Sequence, residues 1–124
     1  MSTENPVVWF EIYVDDMERA KRFYEKTFQL SLSQLPSPSM EIWAFPMKME
    51  KNGAAGALAK MEGVKPGGGG TLIYFSCEDC AVEAKRASDN GGSIHMEKTS
   101  IDPYGFVAIV QDTEGNMIGL HSTK

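Results

Sequence analysis

One stretch constrains the fold of this chain more than any other, because a weaker copy of it returns later in the sequence. Residues 7–28 are VVWFEIYVDDMERAKRFYEKTF, and residues 72–92 are LIYFSCEDCAVEAKRASDNGG. Each copy contains a run of β-branched and aromatic residues, an acidic turn and an amphipathic helical pattern. The repeat predicts a protein of two similar halves, with its functional surface between them.

The segments after each copy predict the rest of each half. Three strand candidates follow each predicted helix, at residues 29–35, 40–47 and 54–61 and at residues 93–96, 106–111 and 117–121. Between the halves lies the sequence EGVKPGGGG (residues 62–70), which leads into a strand and not into a helix, so we predict a flexible linker and not a phosphate-binding loop. The sequence therefore predicts one α+β domain over residues 1–124, with a βαβββ module at about residues 6–61 and a second at about 71–124.

Several local signals define the predicted ends of the elements. Asp15 and Glu18 have the spacing of a capping box at the first helix, and Asp79 is expected to begin the second. Residues 112–116, DTEGN, predict a tight hairpin turn between the last two strands. Three pairs share one sequence separation between the modules: Asp16 and Asp79, Trp9 and Leu72, and Gly56 and Gly119.

Composition excludes some functional classes. The formal net charge is −5, and the basic residues are scattered among acids, so we expect no nucleic-acid partner. The chain has no apolar run long enough to cross a bilayer and no basic segment followed by an apolar one at its start, which favours a cytoplasmic protein without a membrane partner. With 124 residues the chain can bury a single core.

Strand alternation divides the candidate site residues between two faces. In the first strand Trp9, Glu11 and Tyr13 share one face, opposite a purely apolar face that should pack under a helix. The equivalent face of the second module carries Leu72, Tyr74, Ser76, Met117, Gly119 and His121. Trp43 or Phe45 adds an aromatic wall if the register of its strand permits. Aromatic walls with few polar groups are typical of small-molecule sites.

Glu11 is the first candidate for chemistry, because a carboxylate among aromatic rings must be paired, hydrogen-bonded or neutralised. It is a candidate general base or ligand anchor, and His121 is a candidate partner in an acid/base pair. Two alternatives stay open: Glu11 makes a structural hydrogen bond to Tyr74 or His121, and His121 is a rim residue in contact with water. His95 is expected on the surface.

Cys77 and Cys80 form a C-x-x-C pair before the second predicted helix. Such a pair can be redox-active when the helix lowers a thiol pKa. Cys77 falls on the helix-facing side of its strand, and two acids separate the cysteines. Core residues are therefore the simpler interpretation.

The chain resembles the glyoxalase/bleomycin-resistance/dioxygenase superfamily, also called the vicinal oxygen chelate fold. The resemblance rests on the Asp16–Tyr24 segment, on residues 91–94 (GGSI) and on the DTEGN turn, where the family usually has Pro in place of Thr113. It covers nearly the whole chain. It implies paired βαβββ modules whose mixed sheets curl around a cavity, usually in a homodimer.

The resemblance also implies where a metal would bind in a metal-using member. Four His, Glu or Gln ligands would lie on the first and last strands of the two modules. Those positions here are Trp9, Gly56, Leu72 and Gly119, none of which has a side chain that binds a divalent metal. We therefore expect no metal and no other cofactor. In this interpretation the two glycines enlarge the cavity.

These observations predict a metal-free protein that binds a small aromatic or hydrophobic molecule between its modules. The predicted ligand-binding residues are Trp9, Glu11, Tyr13, Trp43, Gly56, Leu72, Tyr74, Gly119 and His121. The alternative is a lyase, isomerase or dioxygenase-type enzyme with a non-standard site, in which Glu11 and His121 are catalytic. A third possibility is an interaction or regulatory domain with a vestigial cavity.

Overall fold

A computed structural model describes residue 7 and residues 9–48 and 53–124. Two halves with the same order of elements follow one another along the chain, as the repeat predicted. The first half comprises β1 (Trp9–Tyr13), α1 (Met17–Phe28), β2 (Ser33–Leu35), β3 (Glu41–Ala44) and β4 (Ala55–Lys60). The second comprises β5 (Tyr74–Ser76), α2 (Cys80–Asp89), β6 (Ser93–Ser100), β7 (Phe106–Gln111) and β8 (Met117–Ser122). We call them module 1 and module 2.

Each module forms its own four-stranded mixed sheet. The strand orders are β1-β4-β3-β2 and β5-β8-β7-β6, with the first and last strands of each module parallel and the other pairs antiparallel. The sheets are not closed, and β1 and β5 lie at the edges of their sheets. β2, β3 and β5 are shorter than predicted, whereas β6 is longer and contains two irregularities of register. No helix in the described ranges is both long and apolar enough to cross a membrane.

The helices pack against one face of each sheet, which we call the helix face. Their contact surface contains an aromatic core in which Tyr24 and Phe28 of α1 pack against Phe45 and Phe75. Phe10 of β1 lies 6.3 Å from Phe75 of β5, measured between ring centroids. The two modules therefore share one core, and the opposite face of each sheet, the open face, is left for a site.

The helix starts differ in one detail from the prediction. The N-cap of α1 is Asp16, whose carboxylate accepts a hydrogen bond from the backbone N–H of Arg19, so the proposed capping box of Asp15 and Glu18 was wrong. The N-cap of α2 is Asp79, as predicted. Asp15 has another role, because its backbone N–H donates to a carboxylate from module 2.

That carboxylate belongs to Glu114 in the turn between β7 and β8. Glu114 accepts hydrogen bonds from the backbone N–H groups of Asp15 and Asp16 at 3.0 Å and forms a two-point ion pair with Arg19. In the same turn Asp112 accepts a hydrogen bond from the buried Tyr24 hydroxyl at 2.6 Å. The turn of module 2 thus attaches to the first helix of module 1.

The pairing of β4 corrects the repeat alignment. The backbone N–H of Val14 donates to Ala59, and the equivalent Cys77 donates to His121. The sequence separation between equivalent positions of the two modules is therefore one residue smaller on their last strands than on their first strands. Gly119, opposite Tyr74, corresponds structurally to Ala57, opposite Glu11, and not to Gly56 as predicted.

One residue of slip moves a side chain to the other face of a sheet. Gly56 is paired with Phe10 and therefore lies on the helix face. The prediction that Gly56 shares the cavity-facing side of the sheet with Glu11 was wrong. Trp43 is paired with Leu58, which is itself paired with Ile12, so it also lies on the helix face. Its ring packs under the ammonium of Lys21 from α1, and Trp43 therefore does not form a wall of the open face.

Candidate functional site

Three alternate residues of β1 form a polar cluster on the open face of module 1. The Glu11 carboxylate accepts hydrogen bonds from the Trp9 indole N–H at 3.2 Å and from the Tyr13 hydroxyl at 2.7 Å. The hydrogen bond to the carboxylate is the main cause of a raised pKa at Tyr13, since the negative charge favours the protonated phenol. The predicted structural partners of Glu11, Tyr74 and His121, are not its partners. We call Trp9, Glu11 and Tyr13 the β1 cluster.

A hollow of about 260 Å³ lies beside this cluster. Glu11 and Tyr13 line it from module 1, Met117 lines it from module 2, and the linker closes another side. The remaining lining residues are Ile12, Lys65, Pro66, Gly67, Gly68, Gly69, Thr71, Ile73, Asn116 and Ile118. We call this space the linker hollow. It combines open-face residues of both modules, the arrangement that the repeat predicted for a functional surface.

Asn116 holds the linker hollow together. Its amide N–H donates to the backbone carbonyl of Tyr13 at 3.0 Å, while its amide oxygen accepts from the backbone N–H of Gly67 at 2.7 Å. One side chain therefore joins β1, the linker and the start of β8. The linker residues and Asn116 were missed as site residues, because glycines and a turn asparagine carry no chemical signature until distant segments meet.

The open face of module 2 has a different content. Tyr74 is paired with Gly119, and a Cβ at Gly119 would lie 2.4 Å from the Tyr74 ring. The glycine thus accommodates a ring that lies across it and does not enlarge a cavity. Tyr74 and Leu72 are both exposed, at 49% and 36% of their surface. They form an apolar surface at the start of β5, the first strand of this module.

His121 is engaged by a loop and not by Glu11. Its Nε2 lies 2.7 Å from the backbone carbonyl of Tyr104, an oxygen that can only accept, so Nε2 carries the proton in this hydrogen bond. Gly105 lies against the same imidazole, since a Cβ there would be 3.3 Å from Nε2. The predicted acid/base pair of Glu11 and His121 is not formed. His95 lies on β6.

A second hollow, of about 350 Å³, opens onto the aromatic core at the start of β4. Its lining residues are Phe10, Leu30, Phe45, Pro46, Gly53, Ala54, Ala55, Gly56, Ile73, Tyr74, Phe75 and Ser76. We call it the aromatic hollow. Gly56 and Tyr74 thus line a space, but it is separate from the one lined by Glu11. None of the described residues that line this hollow has a charged side chain, and they offer mainly apolar contact.

Cys77 and Cys80 are free thiols. Cys80 is buried, and Cys77 packs against the core. Burial, followed by the negative charge of Glu83, raises the pKa of Cys77 to about 12. A thiol with such a pKa is protonated near neutral pH, which is the opposite of what a redox-active cysteine needs. The structure supports the core interpretation.

Comparison with known proteins establishes the family. Residues 7–120 match the model of the Glyoxalase/Bleomycin resistance protein/Dioxygenase superfamily. The chain belongs to this superfamily. A search of curated proteins found no match. The resemblance in the repeat, the GGSI segment and the DTEGN turn is therefore confirmed, together with the fold that it implied.

Solved structures from this superfamily have the same fold. Glyoxalase I from Zea mays is 20% identical with a TM-score of 0.74, over 93% of this chain and 45% of that protein. The chain thus spans about half the length of this relative. TnmS3, an antibiotic binding protein from Streptomyces sp. CB03234, is 25% identical with a TM-score of 0.70, over 100% of this chain and 99% of that protein. A glyoxalase-related enzyme from Fulvimarina pelagi is 18% identical with a TM-score of 0.65, over 94% of this chain and 86% of that protein.

The superfamily includes metal-using members, and the residues at the four corresponding ligand positions of this chain have no metal-binding side chain. The corrected register replaces Gly56 by Ala57 at the position equivalent to Gly119, and alanine offers no ligand either. Trp9 and Leu72 are equally unsuited, because divalent metals need several convergent imidazole, thiolate or carboxylate groups. Within residues 9–48 and 53–124, no three such side chains converge. These residues do not fit the superfamily's metal, and we assign no reaction step to one.

Proposed function

We propose that this protein binds a small aromatic or hydrophobic molecule in the linker hollow and on the adjoining open faces. The observation that carries the proposal is the composition of this hollow. A fixed carboxylate and an aromatic hydroxyl face an apolar side chain, Met117, across a space of about 260 Å³. Small-molecule sites typically combine apolar walls with a few oriented polar groups.

Two further observations support binding. Trp9 is 37% exposed although it is a large aromatic residue, and exposed apolar surface beside a hollow is typical of ligand sites. The Streptomyces protein TnmS3, which matches over nearly its full length, is described as antibiotic binding. We propose a comparable role without metal or other cofactor, in a cytoplasmic homodimer. The alternative, an enzyme using Glu11 and His121, has no specific observation in its favour, since the two residues contact different groups.

The test compares ligand binding in variants that fill one hollow or the other. Gly68 lines the linker hollow, and a Cβ added there would have no neighbour within 4 Å. Gly68→Phe therefore adds a large ring at the wall of the hollow without a steric clash at its Cβ. Ala54 is an exposed residue lining the aromatic hollow, so Ala54→Phe is the matched control. A panel of small aromatic molecules is screened by thermal shift and by NMR on wild type and both variants.

We expect at least one aromatic compound to stabilise the wild type and Ala54→Phe and not Gly68→Phe, because only a ligand bound to the native state raises the unfolding temperature. Loss of the shift in Ala54→Phe alone would place the ligand in the aromatic hollow and contradict the proposal. Stoichiometric metal in protein purified without chelator would contradict the metal-free state. Light scattering on an eluting gel-filtration peak tests the homodimer.

A further inference from the structure

Module 1 contains two tryptophan–glutamate pairs of the same spacing on opposite faces of its sheet. On the open face, the indole N–H of Trp9 donates to Glu11 at 3.2 Å. On the helix face, the indole N–H of Trp43 donates to Glu41 at 3.0 Å. Both carboxylates lie beside an indole ring two residues away on the same strand. The two pairs thus present the same chemical groups to two different environments.

The pair on the helix face contacts a cation supplied by the chain itself. The ammonium nitrogen of Lys21 lies 3.3 Å from the centroid of the Trp43 ring. The Lys21 side chain is only 15% exposed, so this cation–π contact is largely shielded from water. A cation is attracted to the negative face of an aromatic ring, and indole is the strongest such ring. The Trp43 ring thus accommodates an ammonium group, and the ion pair of that ammonium is with Glu18 at 3.6 Å and not with Glu41.

The pair on the open face lacks such a cation in the described part of the chain. Among the described residues, the four ion pairs involve Glu18, Asp79, Asp89 and Glu114 but not Glu11. The two cation–π contacts among these residues involve Trp43 and Phe106 but not Trp9. A carboxylate has about four acceptor positions, and Trp9 and Tyr13 occupy two of those on Glu11. The β1 cluster therefore retains acceptor capacity and a half-exposed indole ring.

We propose that the β1 cluster recognises an organic ammonium group carried by the ligand. This inference rests on the proposed function and specifies the ligand class: an amine with an aromatic or hydrophobic body. The ammonium donates to the free acceptor positions of Glu11 and contacts the ring of Trp9, while the body occupies the linker hollow. The two hydrogen bonds to Glu11 fix the carboxylate before binding, which reduces the entropy lost on association.

Among the described residues that line the linker hollow, Lys65 is the one charged residue besides Glu11. Its side chain is on the linker and is exposed. Salt screens the repulsion from an exposed lysine, with a Debye length of about 8 Å at physiological ionic strength. The half-buried Glu11 is screened less, and its attraction for an ammonium group dominates at short range.

The test uses three probes of similar shape and different charge: phenethylamine as the cation, 2-phenylethanol as the neutral molecule and 3-phenylpropionate as the anion. Dissociation constants are measured by NMR titration at neutral pH. The two indole N–H signals serve as separate reporters, one for each tryptophan. We expect phenethylamine to bind about tenfold more tightly than 2-phenylethanol. The Trp9 signal should shift and the Trp43 signal should not.

Two glutamine variants form a matched pair. Glu11→Gln keeps one acceptor oxygen, which can receive the Trp9 indole N–H, while its NH2 group can donate to the Tyr13 hydroxyl. The variant loses the charge, so we expect it to abolish the preference for the amine over 2-phenylethanol. Glu41→Gln makes the same change on the helix face and should preserve the preference. The amine preference of the wild type should also fall as salt is added, a measurement that does not depend on any variant.

Equal affinities of wild type for the amine and the alcohol would overturn this inference and leave the proposed function intact, because the alcohol still binds. An amine preference that survives in Glu11→Gln, or that does not respond to salt, would also overturn it. If none of the three probes binds, both the inference and the proposed function are contradicted.

Discussion

The two modules have the same order of elements but different contents on their open faces. Module 1 presents a carboxylate held by Trp9 and Tyr13, whereas module 2 presents Tyr74 lying over Gly119. His121 of module 2 is hydrogen-bonded to a backbone carbonyl and is not paired with Glu11. The two modules therefore share a backbone arrangement but present different functional groups on their open faces. We expect ligand recognition to be concentrated on module 1.

The starts of the two helices differ in the same way. Glu114 from module 2 accepts hydrogen bonds from two backbone N–H groups at the start of α1 and forms an ion pair with Arg19. At the start of α2 the carboxylate of Glu83 accepts one backbone hydrogen bond, from Glu78 at 3.3 Å, and comes from the helix itself. The turn of module 1 equivalent to that of Glu114 includes residues outside the described ranges. In the described structure, the carboxylate that bridges the two modules at a helix start comes from module 2.

The largest expected effect comes from Glu114→Gln. The Glu114 side chain is completely buried, and both backbone N–H groups donate to Oε1 while the Arg19 Nε–H donates to Oε2. In glutamine an NH2 group replaces one of these oxygens and cannot accept, so a donor is left facing another donor. Removing the charge leaves the N–H groups of Asp15, Asp16 and Arg19 with a weaker, incomplete set of acceptors in a buried place. We therefore expect the free energy of unfolding to fall by about 2–4 kcal/mol. Urea denaturation followed by circular dichroism measures the change.

Glu83→Gln is the matched substitution in module 2. Its carboxylate oxygen Oε1 is buried without a hydrogen-bond partner in the part of the chain that the structure describes, so less is lost. We expect a change below about 1 kcal/mol. Equal effects of the two substitutions would show that the cross-module contact has no special importance.

The pH dependence of stability sharpens the same comparison. Burial alone would raise the pKa of Glu114, but hydrogen bonds from Arg19, Asp16, Thr113 and Asp15 outweigh it and lower the pKa from 4.5 to about 2. The stability that the carboxylate provides is therefore complete above the unfolded-state pKa and is lost as the pH falls toward 2. We expect the difference between wild type and Glu114→Gln, measured by urea denaturation, to shrink across this range. A difference independent of pH would contradict the assigned pKa.

A smaller effect distinguishes the two strand glycines. A Cβ at Gly56 would lie 2.3 Å from the Phe10 ring, and one at Gly119 would lie 2.4 Å from the Tyr74 ring. Phe10 is packed between Phe45 and Phe75, whereas Tyr74 is half exposed and its ring can turn away. We expect Gly56→Ala to cost about 1–3 kcal/mol and Gly119→Ala less than about 1 kcal/mol.

Urea denaturation of both alanine variants checks this order. A larger cost at Gly119 would mean that the Tyr74 ring is fixed, which would make the open face of module 2 as rigid as the core. That result would weaken the distinction between the modules and would make Tyr74 a candidate for a preformed ligand wall.

The elements were predictable to the extent that their signals are local. The apolar spacing of Met17, Ala20, Phe23 and Tyr24 predicted a helix with one buried side, and all four residues are buried. The faces of β1 were correct for Glu11 and Ile12 because alternation is a local property of a strand. The face of Trp43 was left open, since no local signal defined the register of its strand.

The alignment of Gly56 failed for a related reason. Equal spacing of the two glycines suggested equivalent positions, but backbone pairing placed Ala57 and not Gly56 opposite Glu11. Pairing depends on contacts between strands far apart in the sequence, and a slip of one residue exchanges the faces. The partners of Glu11 were also missed, because side chains two residues apart along a strand can meet only when their rotamers turn toward each other.

The sequence by itself determined the superfamily, the order of the strands and helices, and the residues available on β1. The superfamily follows from the resemblance of the Asp16–Tyr24 segment, the GGSI segment and the DTEGN turn, and from the family match over residues 7–120. The elements and the faces of β1 follow from composition and periodicity, which operate over a few residues. Tertiary structure decided which residues meet: Asn116 with Tyr13 and Gly67, Glu114 with the start of α1, and His121 with Tyr104. Such contacts join segments that only the folded chain brings together, and they depend on distances that no local pattern encodes.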